Sequence, residues 1–354
     1  MSLPRLDQPF VVGSLDTAAG KIPKITSGLL PRDFWGAFKA RWGVGRMNYC
    51  VDPGVYALDR PTKDSPVFVT ANYKMSFDSL RSGLKDRSAW ILVLDTKGIN
   101  VWCAAGKGTF GTTELVSRIQ SSGLDRVVSH RQLVLPQLAG PGIAAHQVKK
   151  LSGYKVIYGP IRAGDLPAFL ENGFKATPKM RQKTFTAWER TVLIPVELVS
   201  ALKAAVLILP VLFLAGGFGG SRWLWANSMN DGRFAVMAVL TAIAAGAVLA
   251  PICLPWLPGR AFSLKGLWPG LAAALALMFF RRYYPAAGNG LLETVTWIFL
   301  VPALSSYLAM NFTGASTYTS LSGVKKEMRW AVPFQIGAGV VGLGLWIGAR
   351  FVIY

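Results

Sequence analysis

Cysteine is scarce in this chain. Its 354 residues hold three, Cys50, Cys103 and Cys253. They lie far apart and form no CxxC, which excludes a disulfide framework and leaves too few thiolates for a four-cysteine zinc site or iron–sulfur cluster carried by this chain. Histidine is scarcer still, with only His130 and His146, so a cysteine hydrolase has no base in a recognisable pattern. Acidic side chains are few as well, 18 Asp and Glu against 38 Lys and Arg, for a net charge of +20. That balance invites a nucleic-acid partner. The cations are scattered, however, with no recognition motif and no run of five like charges, so no nucleic acid is expected. Membrane proteins commonly carry excess Lys and Arg on their cytoplasmic side, which accounts for the bias. The first 30 residues have no continuous apolar core, and no cleaved signal peptide is expected.

Long hydrophobic runs are abundant, but only in one half. Residues 1–190 hold 27 Lys and Arg against 14 Asp and Glu, and residues 191–354 hold 11 against 4 in a background of Leu, Ala, Val, Phe and Gly. A helix crossing a bilayer needs about 20 mostly apolar residues. Five segments qualify: 192–215, 234–254, 264–280, 291–312 and 331–352. The third is short, and lengthens only if Arg281 and Arg282 mark its boundary. The expected layout is a soluble domain over 1–185, with its core about 46–175, then an all-α transmembrane bundle of about five helices over 186–354. Lys and Arg in the loops balance between the two sides. The cluster Lys175, Lys179, Arg181, Lys183 and Arg190 before the first span breaks the tie and places the soluble domain in the cytosol, on the inner membrane. Glu197 and Lys203 fall inside the first span, on different helix faces, and are expected to snorkel to one interface. With no internal repeat and few intramembrane charges, the bundle reads as an anchor rather than a transporter core.

The first 45 residues, rich in Gly, Pro and cations, read as loops with at most one short helix. Beyond them the pattern is α/β. Strands are expected at 66–70, 89–94, 132–135 and 155–158, and helices at 76–82, 113–121, 143–151 and 163–171. Short apolar runs alternating with helical stretches predict a mostly parallel sheet with helices on its faces, and such sheets bind ligands beyond the carboxyl ends of their strands. The run Trp90-Ile-Leu-Val-Leu-Asp95 is the best buried-strand candidate.

The most unusual sequence follows it: Asn100-Val101-Trp102-Cys103-Ala104-Ala105-Gly106-Lys107. Gly106-Lys107 resembles part of a P-loop, but that motif needs Gly where Val101 stands and Ser or Thr where Gly108 stands. Written as a short helix, the octapeptide puts Asn100, Cys103 and Lys107 at i, i+3 and i+7 on one face, with Val101, Ala104 and Ala105 free to pack behind. A thiol, an amide and a cation would then face one object. Gly106, Gly108 and Gly111 would let backbone approach a large flat ligand. Thr112 or Thr113 would cap the next helix, with Glu114 in its first turn. A buried cysteine on a tight strand-to-helix turn fits the same pattern.

Residues 100–107, continuing through Gly108-Thr109-Phe110-Gly111-Thr112, resemble the signature of the corrinoid protein of the anaerobic mercury-methylation pair. The stretch Ser65-Pro-Val-Phe-Val-Thr-Ala-Asn-Tyr-Lys-Met-Ser-Phe-Asp78 is similar to the same family. It is also similar to the larger subunit of the corrinoid iron–sulfur protein of acetyl-CoA metabolism. The resemblance implies a Rossmann-like corrinoid-binding domain whose motif forms a cap helix under the corrin ring, with Cys103 as the lower axial ligand to cobalt. It assigns the stretch from Asn100 to Thr109 to cofactor binding, without individual roles. Neither histidine lies in the Asp-x-His-x-x-Gly motif of histidine-ligated cobalamin proteins, and Cys50 and Cys253 read as structural. The implied activity is a corrinoid-dependent methyltransferase that passes a methyl group to mercury(II) and makes methylmercury. A thiolate ligand tunes the metal toward releasing that group to an electrophile. The implied partners are an iron–sulfur ferredoxin as reductant and a methyl donor of the methyltetrahydrofolate type acting through a methyltransferase. Two rivals stand beside it: a membrane-anchored methyl carrier of one-carbon metabolism, and a non-catalytic membrane protein that binds or transports a ligand.

Overall fold

The computed structural model describes residues 3–219, 223–283, 291–314 and 321–351. The chain divides into two compact units, Met1–Ala40 with Val44–Thr184, and Phe185–Tyr354 with Arg41–Gly43.

Unit 1 is built on a seven-stranded mixed sheet. Its strands are β1 (Val11–Thr17), β2 (Gly20–Ile25), β3 (Gly54–Leu58), β4 (Val67–Ala71), β5 (Ala89–Leu94), β6 (Gln132–Leu135) and β7 (Lys155–Tyr158), in the order β1-β2-β3-β5-β4-β6-β7. β4, β5, β6 and β7 run parallel, as does β2 to β3, whereas β1–β2 and β3–β5 are antiparallel. Its α-helices are α1 (Pro31–Arg41), α2 (Lys74–Gly83), α3 (Val101–Lys107), α4 (Thr112–Ser121), α5 (Leu124–Val127), α6 (Ala145–Ser152) and α7 (Leu166–Glu171). Strands β3, β4 and β5 are buried along their whole length, which is why they read as near-continuous apolar runs. Alternate residues feed two cores, because successive side chains leave a strand on opposite faces. Val55, Val67, Val69, Trp90 and Leu92 pack with Ala104, Leu115, Ile119 and Val148, on the face covered by α3, α4 and α6. Tyr56, Phe68, Ile91 and Val93 pack with Phe77, Leu84, Leu166 and Phe169, on the face covered by α2 and α7.

A buried ion cluster ties α1 to α2. Lys74 Nζ lies 2.9 Å from Asp33 and 2.6 Å from Asp78, and Arg81 donates to Asp33 and Asp78 at 2.8 Å each. The remaining Arg81 donors reach the carbonyls of Thr26 (2.9 Å) and Gly28 (2.7 Å). Two cations thus meet two carboxylates with almost no solvent contact, which is the condition under which buried charge is tolerated.

The expectation for residues 1–45 is corrected: they form the β1–β2 hairpin and α1. β1 is mostly exposed and β2 carries Pro23 and two lysines, so neither shows an apolar alternation. β3 is also additional to the expected strands. Its antiparallel pairing with β5, and that of β1 with β2, make the sheet mixed rather than mostly parallel throughout. β5, β6 and β7 lie at their expected positions, and the helix expected at 163–171 begins with a 3-10 turn, Ala163–Asp165.

Unit 2 is helical. Four helices are long and apolar enough to cross a membrane: Ala187–Ala215, Leu224–Cys253, Phe262–Arg281 and Gly323–Phe351. A further apolar helix, Leu291–Asn311, lies at the position of the fourth expected span, 291–312. The third lies on the helix Phe262–Tyr283 and lengthens beyond 264–280 to reach Arg281. Asp231 bridges Arg281 at 2.9 Å and Arg350 at 2.5 Å, an interior ion cluster that the spacing of these residues in sequence conceals.

Candidate functional site

The parallel strands β4, β5 and β6 deliver their carboxyl ends to one edge of the sheet, and α3 forms there, packed against β4 and the turn Gln137–Ala139 that follows β6. The loop from β5 into α3 is organised by Asn72, the first residue past β4. Asn72 Oδ1 accepts the backbone N–H of Thr96 (3.1 Å) and Gly98 (3.0 Å). The buried Thr96 hydroxyl lies 2.8 Å from the same oxygen and 2.7 Å from the Ile99 carbonyl. Asn72 N–H itself donates to the Leu94 carbonyl at 3.0 Å, joining the two strand ends. The turn uses left-handed backbone at Lys97 and Gly98 (φ 59° and 70°). Beside it, burial pushes the Asp95 carboxyl upward, but hydrogen bonds from the Lys97 side chain and N–H win and hold it below the usual carboxylate range.

Asn100 then caps α3. Its side-chain oxygen accepts the Cys103 N–H at 2.9 Å, satisfying one of the donors left open at a helix start. The Asn100 side-chain oxygen is thus engaged in starting the helix. Ala104 and Ala105 are buried and Val101 packs against the same core. Trp102 and Cys103 are half-buried, Gly106, Lys107 and Gly108 are exposed, and Thr109 is half-buried with its hydroxyl 3.4 Å from the Ala104 carbonyl. Cys103 is a free thiol. The helix ends at Gly108, whose φ of 81° is the left-handed conformation that favours glycine at a C-terminus. Neither Thr112 nor Thr113 caps α4: Gly111 is the N-cap, and the Thr112 hydroxyl accepts the Ala144 N–H at 2.9 Å. Glu114 does lie in the first turn, where it accepts the Asp95 N–H (2.8 Å) and pairs with Arg118 (2.8 Å).

A second loop clamps α3 from its C-terminal side. A Cβ on Gly142 would lie 2.2 Å from the Phe110 carbonyl and 3.0 Å from Ala105 Cα, so only glycine permits that approach. Two variants separate these supports. Asn100→Ala should cost about 1 kcal/mol, the usual loss of a cap, seen as faster hydrogen exchange at the Cys103 amide alone. Gly142→Val should cost about 1–3 kcal/mol and speed exchange across α3 and the start of α4. Wild-type exchange in both variants would refute the clamp.

The histidines have ordinary roles. His130 Nδ1 accepts the Gln132 N–H at 3.2 Å, which leaves Nε2 to donate to the Ser65 carbonyl at 2.9 Å, and His146 is exposed on α6. Cys50 is exposed and lies in a bridge to Tyr73, next to Asn72. Sequence reasoning missed Asn72 and the ion cluster as organising groups, although Asn72, Lys74 and Asp78 all fall in the stretch 65–78.

Residues 45–170, which hold all of this site, match the family described as CO dehydrogenase/acetyl-CoA synthase delta subunit. The acetyl-CoA decarbonylase/synthase complex subunit gamma of Archaeoglobus fulgidus is 32% identical over 126 residues, 35% of this chain and 26% of that protein. The subunit gamma of Methanothermobacter thermautotrophicus is 30% identical over 128 residues, 36% of this chain and 28% of that protein. That of Methanocaldococcus jannaschii is 28% identical over 145 residues, 40% of this chain and 29% of that protein. The chain therefore spans only between about a quarter and three-tenths of the length of these relatives.

Proposed function

We propose that unit 1 binds a corrinoid with Cys103 as the lower axial ligand to its cobalt, and that the chain is a membrane-anchored methyl carrier acting as a methyltransferase. The observation that carries this reading is the placement of Cys103. It is a free, half-buried thiol on a capped helix at the carboxyl ends of parallel strands, the edge at which open α/β sheets take ligands. The residues present fit the group. A thiolate suits a transition metal, the buried Ala104 and Ala105 fix the helix from behind, and the exposed Gly106 and Gly108 keep bulk away from the outer face. The cofactor-binding stretch is accordingly Asn100, Val101, Trp102, Cys103, Ala104, Ala105, Gly106, Lys107, Gly108 and Thr109. Within it Asn100 acts through the helix rather than on the ligand.

When bound, the corrinoid supplies the capacity to hold a methyl group and give it up. Everything else falls to the chain. Cys103 would hold the cobalt and lend it electron density, and Asn100, Gly108 and Gly142 hold the turn that carries the thiol. Unit 2 anchors the carrier in the inner membrane with unit 1 in the cytosol. Reducing equivalents come from an iron–sulfur ferredoxin, and the methyl group from a donor of the methyltetrahydrofolate type through a methyltransferase.

The similar proteins are subunits of acetyl-CoA decarbonylase/synthase complexes, and they favour a one-carbon carrier. The finer reading, with mercury(II) as acceptor and methylmercury as product, rests on the octapeptide at 100–107 and not on those relatives. The deciding experiment expresses the full chain with a partner ferredoxin in an anaerobic host that does not methylate mercury, supplies isotopically labelled mercury(II), and assays labelled methylmercury and protein-bound corrinoid. Labelled product is the expected result for the finer reading. Bound corrinoid without product leaves the one-carbon carrier, and absence of corrinoid after anaerobic purification with cofactor supplied overturns both.

A further inference from the structure

The polarity of α1 is inverted. Its inward face carries the buried Asp33 and Ala40 with the half-buried Gly36 and Ala37, and Gly36 lies so close to the Tyr49 ring that a Cβ there would come within 2.6 Å of the hydroxyl. Its outward face carries Phe34, Trp35 and Phe38, a helical stripe at i, i+1 and i+4. Phe34 is 63% and Trp35 59% exposed, and Trp35 stacks on Phe38 with ring centroids 5.3 Å apart. Leu30 just before the helix, and Val44 and Met47 just after it, are exposed as well. Large apolar groups gathered on one face of a water-bathed domain are unusual and mark a contact surface.

Charge identifies the occupant. Between Leu30 and Val51 the cations are Arg32, Lys39, Arg41 and Arg46, while the single carboxylate is Asp33. That carboxylate is neutralised inside the cluster with Lys74 and Arg81. The exposed Arg32 and Lys39 therefore bring positive charge beside the aromatic rings, while Arg46 is turned inward, donating to the Ala40 carbonyl at 3.4 Å and lying over the Tyr73 ring. This is the chemistry of the water–lipid boundary, where Trp and other amphipathic rings settle at headgroup depth and basic side chains meet anionic lipid. A chain with four helices long and apolar enough to cross a bilayer keeps its remaining segments within tether length of one.

We propose that α1 and its flanks form an interfacial contact, with Phe34, Trp35 and Phe38 set into the headgroup region of an anionic bilayer. Such a contact would fix unit 1 at the membrane surface at a second point, independent of what unit 1 binds. The inference does not rest on the corrinoid reading, and neither outcome below depends on cofactor.

The test uses the full chain with Cys50, Cys103 and Cys253 replaced by serine. A nitroxide is attached at Phe34→Cys, separately at Trp35→Cys, and for reference at Val12→Cys on the exposed face of β1. The protein is placed in vesicles of phosphatidylcholine with and without phosphatidylglycerol, and collision rates with oxygen and with a water-soluble nickel chelate are compared. Labels at 34 and 35 should collide more with oxygen than with nickel and the label at 12 the reverse, and the contrast should shrink when phosphatidylglycerol is left out. Nickel access at 34 and 35 equal to that at 12 would overturn the proposal. So would shielding from both reagents, which would mean that protein covers this face.

Discussion

Cys103→Ala should lower methyl transfer by about a hundredfold or more while leaving unit 1 folded. On the proposal that Cys103 is the cobalt ligand, the loss exceeds that of a group that only supports a ligand, whose removal from a metal site typically costs about 10–100-fold. The fold should survive because the contact that starts α3 is made by the Cys103 backbone N–H to Asn100, which alanine retains, and because the side chain is only half-buried. Two measurements on the same sample keep the causes apart. Hydrogen exchange across α3 should match the wild type, and the visible spectrum of the reconstituted protein should lose the signature of thiolate on cobalt. Full transfer by Cys103→Ala would remove the ligand role. An unchanged spectrum with lost transfer would instead place Cys103 on the acceptor side of the reaction.

Arg81→Met should be the most damaging single change to the soluble unit. Arg81 is among the largest fully buried side chains, and four of its contacts are charged or polar: Asp33, Asp78 and the carbonyls of Thr26 and Gly28. Removing one partner from a buried ion cluster typically costs about 3–5 kcal/mol, because the remaining charge is left uncompensated. Protection of α2 and β2 amides, measured by hydrogen exchange on the full chain in detergent, should fall by about two to three orders of magnitude. Arg87→Met, at the exposed pair with Glu171, should cost less than about 1 kcal/mol. The loss at Arg81 should depend on pH. Burial pushes the Asp33 carboxyl upward, but the Leu30 N–H, Lys74 and Arg81 prevail and hold it below its ordinary value. A carboxyl lowered in the folded state contributes stability above its unfolded pKa of about 3.9 and surrenders it as the pH falls through the folded value. Without Arg81 the folded value rises, so acid should unfold the variant at a higher pH than wild type. An equal acid midpoint would show that the cluster is not what holds Asp33 ionised.

The parts of the fold that were legible in sequence are those that obey one rule at a time. β5 announces itself because a strand buried on both faces must be apolar throughout, and α4 because its apolar face repeats with helical spacing. The hairpin β1–β2 was illegible because β1 is an edge strand with no buried residue, and β2 breaks its apolar positions with a proline and two lysines. α1 was hidden for the opposite reason, since its aromatic face is outside and its charged residue inside. At the site, the octapeptide gave the helix and its buried alanines, but spacing alone assigned Asn100 to the ligand side when the helix start had the prior claim on its oxygen. Nothing local marks Asn72 as the hub of a loop 24 residues further on, because the pairing that brings the ends of β4 and β5 together is a property of the sheet.

The cluster of Asp33 with Lys74 and Arg81 also sets an order of events during synthesis. The β1–β2 hairpin and α1 leave the ribosome before α2, and the cations that neutralise Asp33 lie 41 and 48 positions after it. Until α2 emerges, Asp33 keeps its water and α1 lacks the cations that secure its inward face, so α1 is secured only after the chain has been made through Arg81. An unfinished chain would meanwhile display the aromatic stripe of α1, and a nearby membrane or a chaperone would encounter that stripe before any completed sheet.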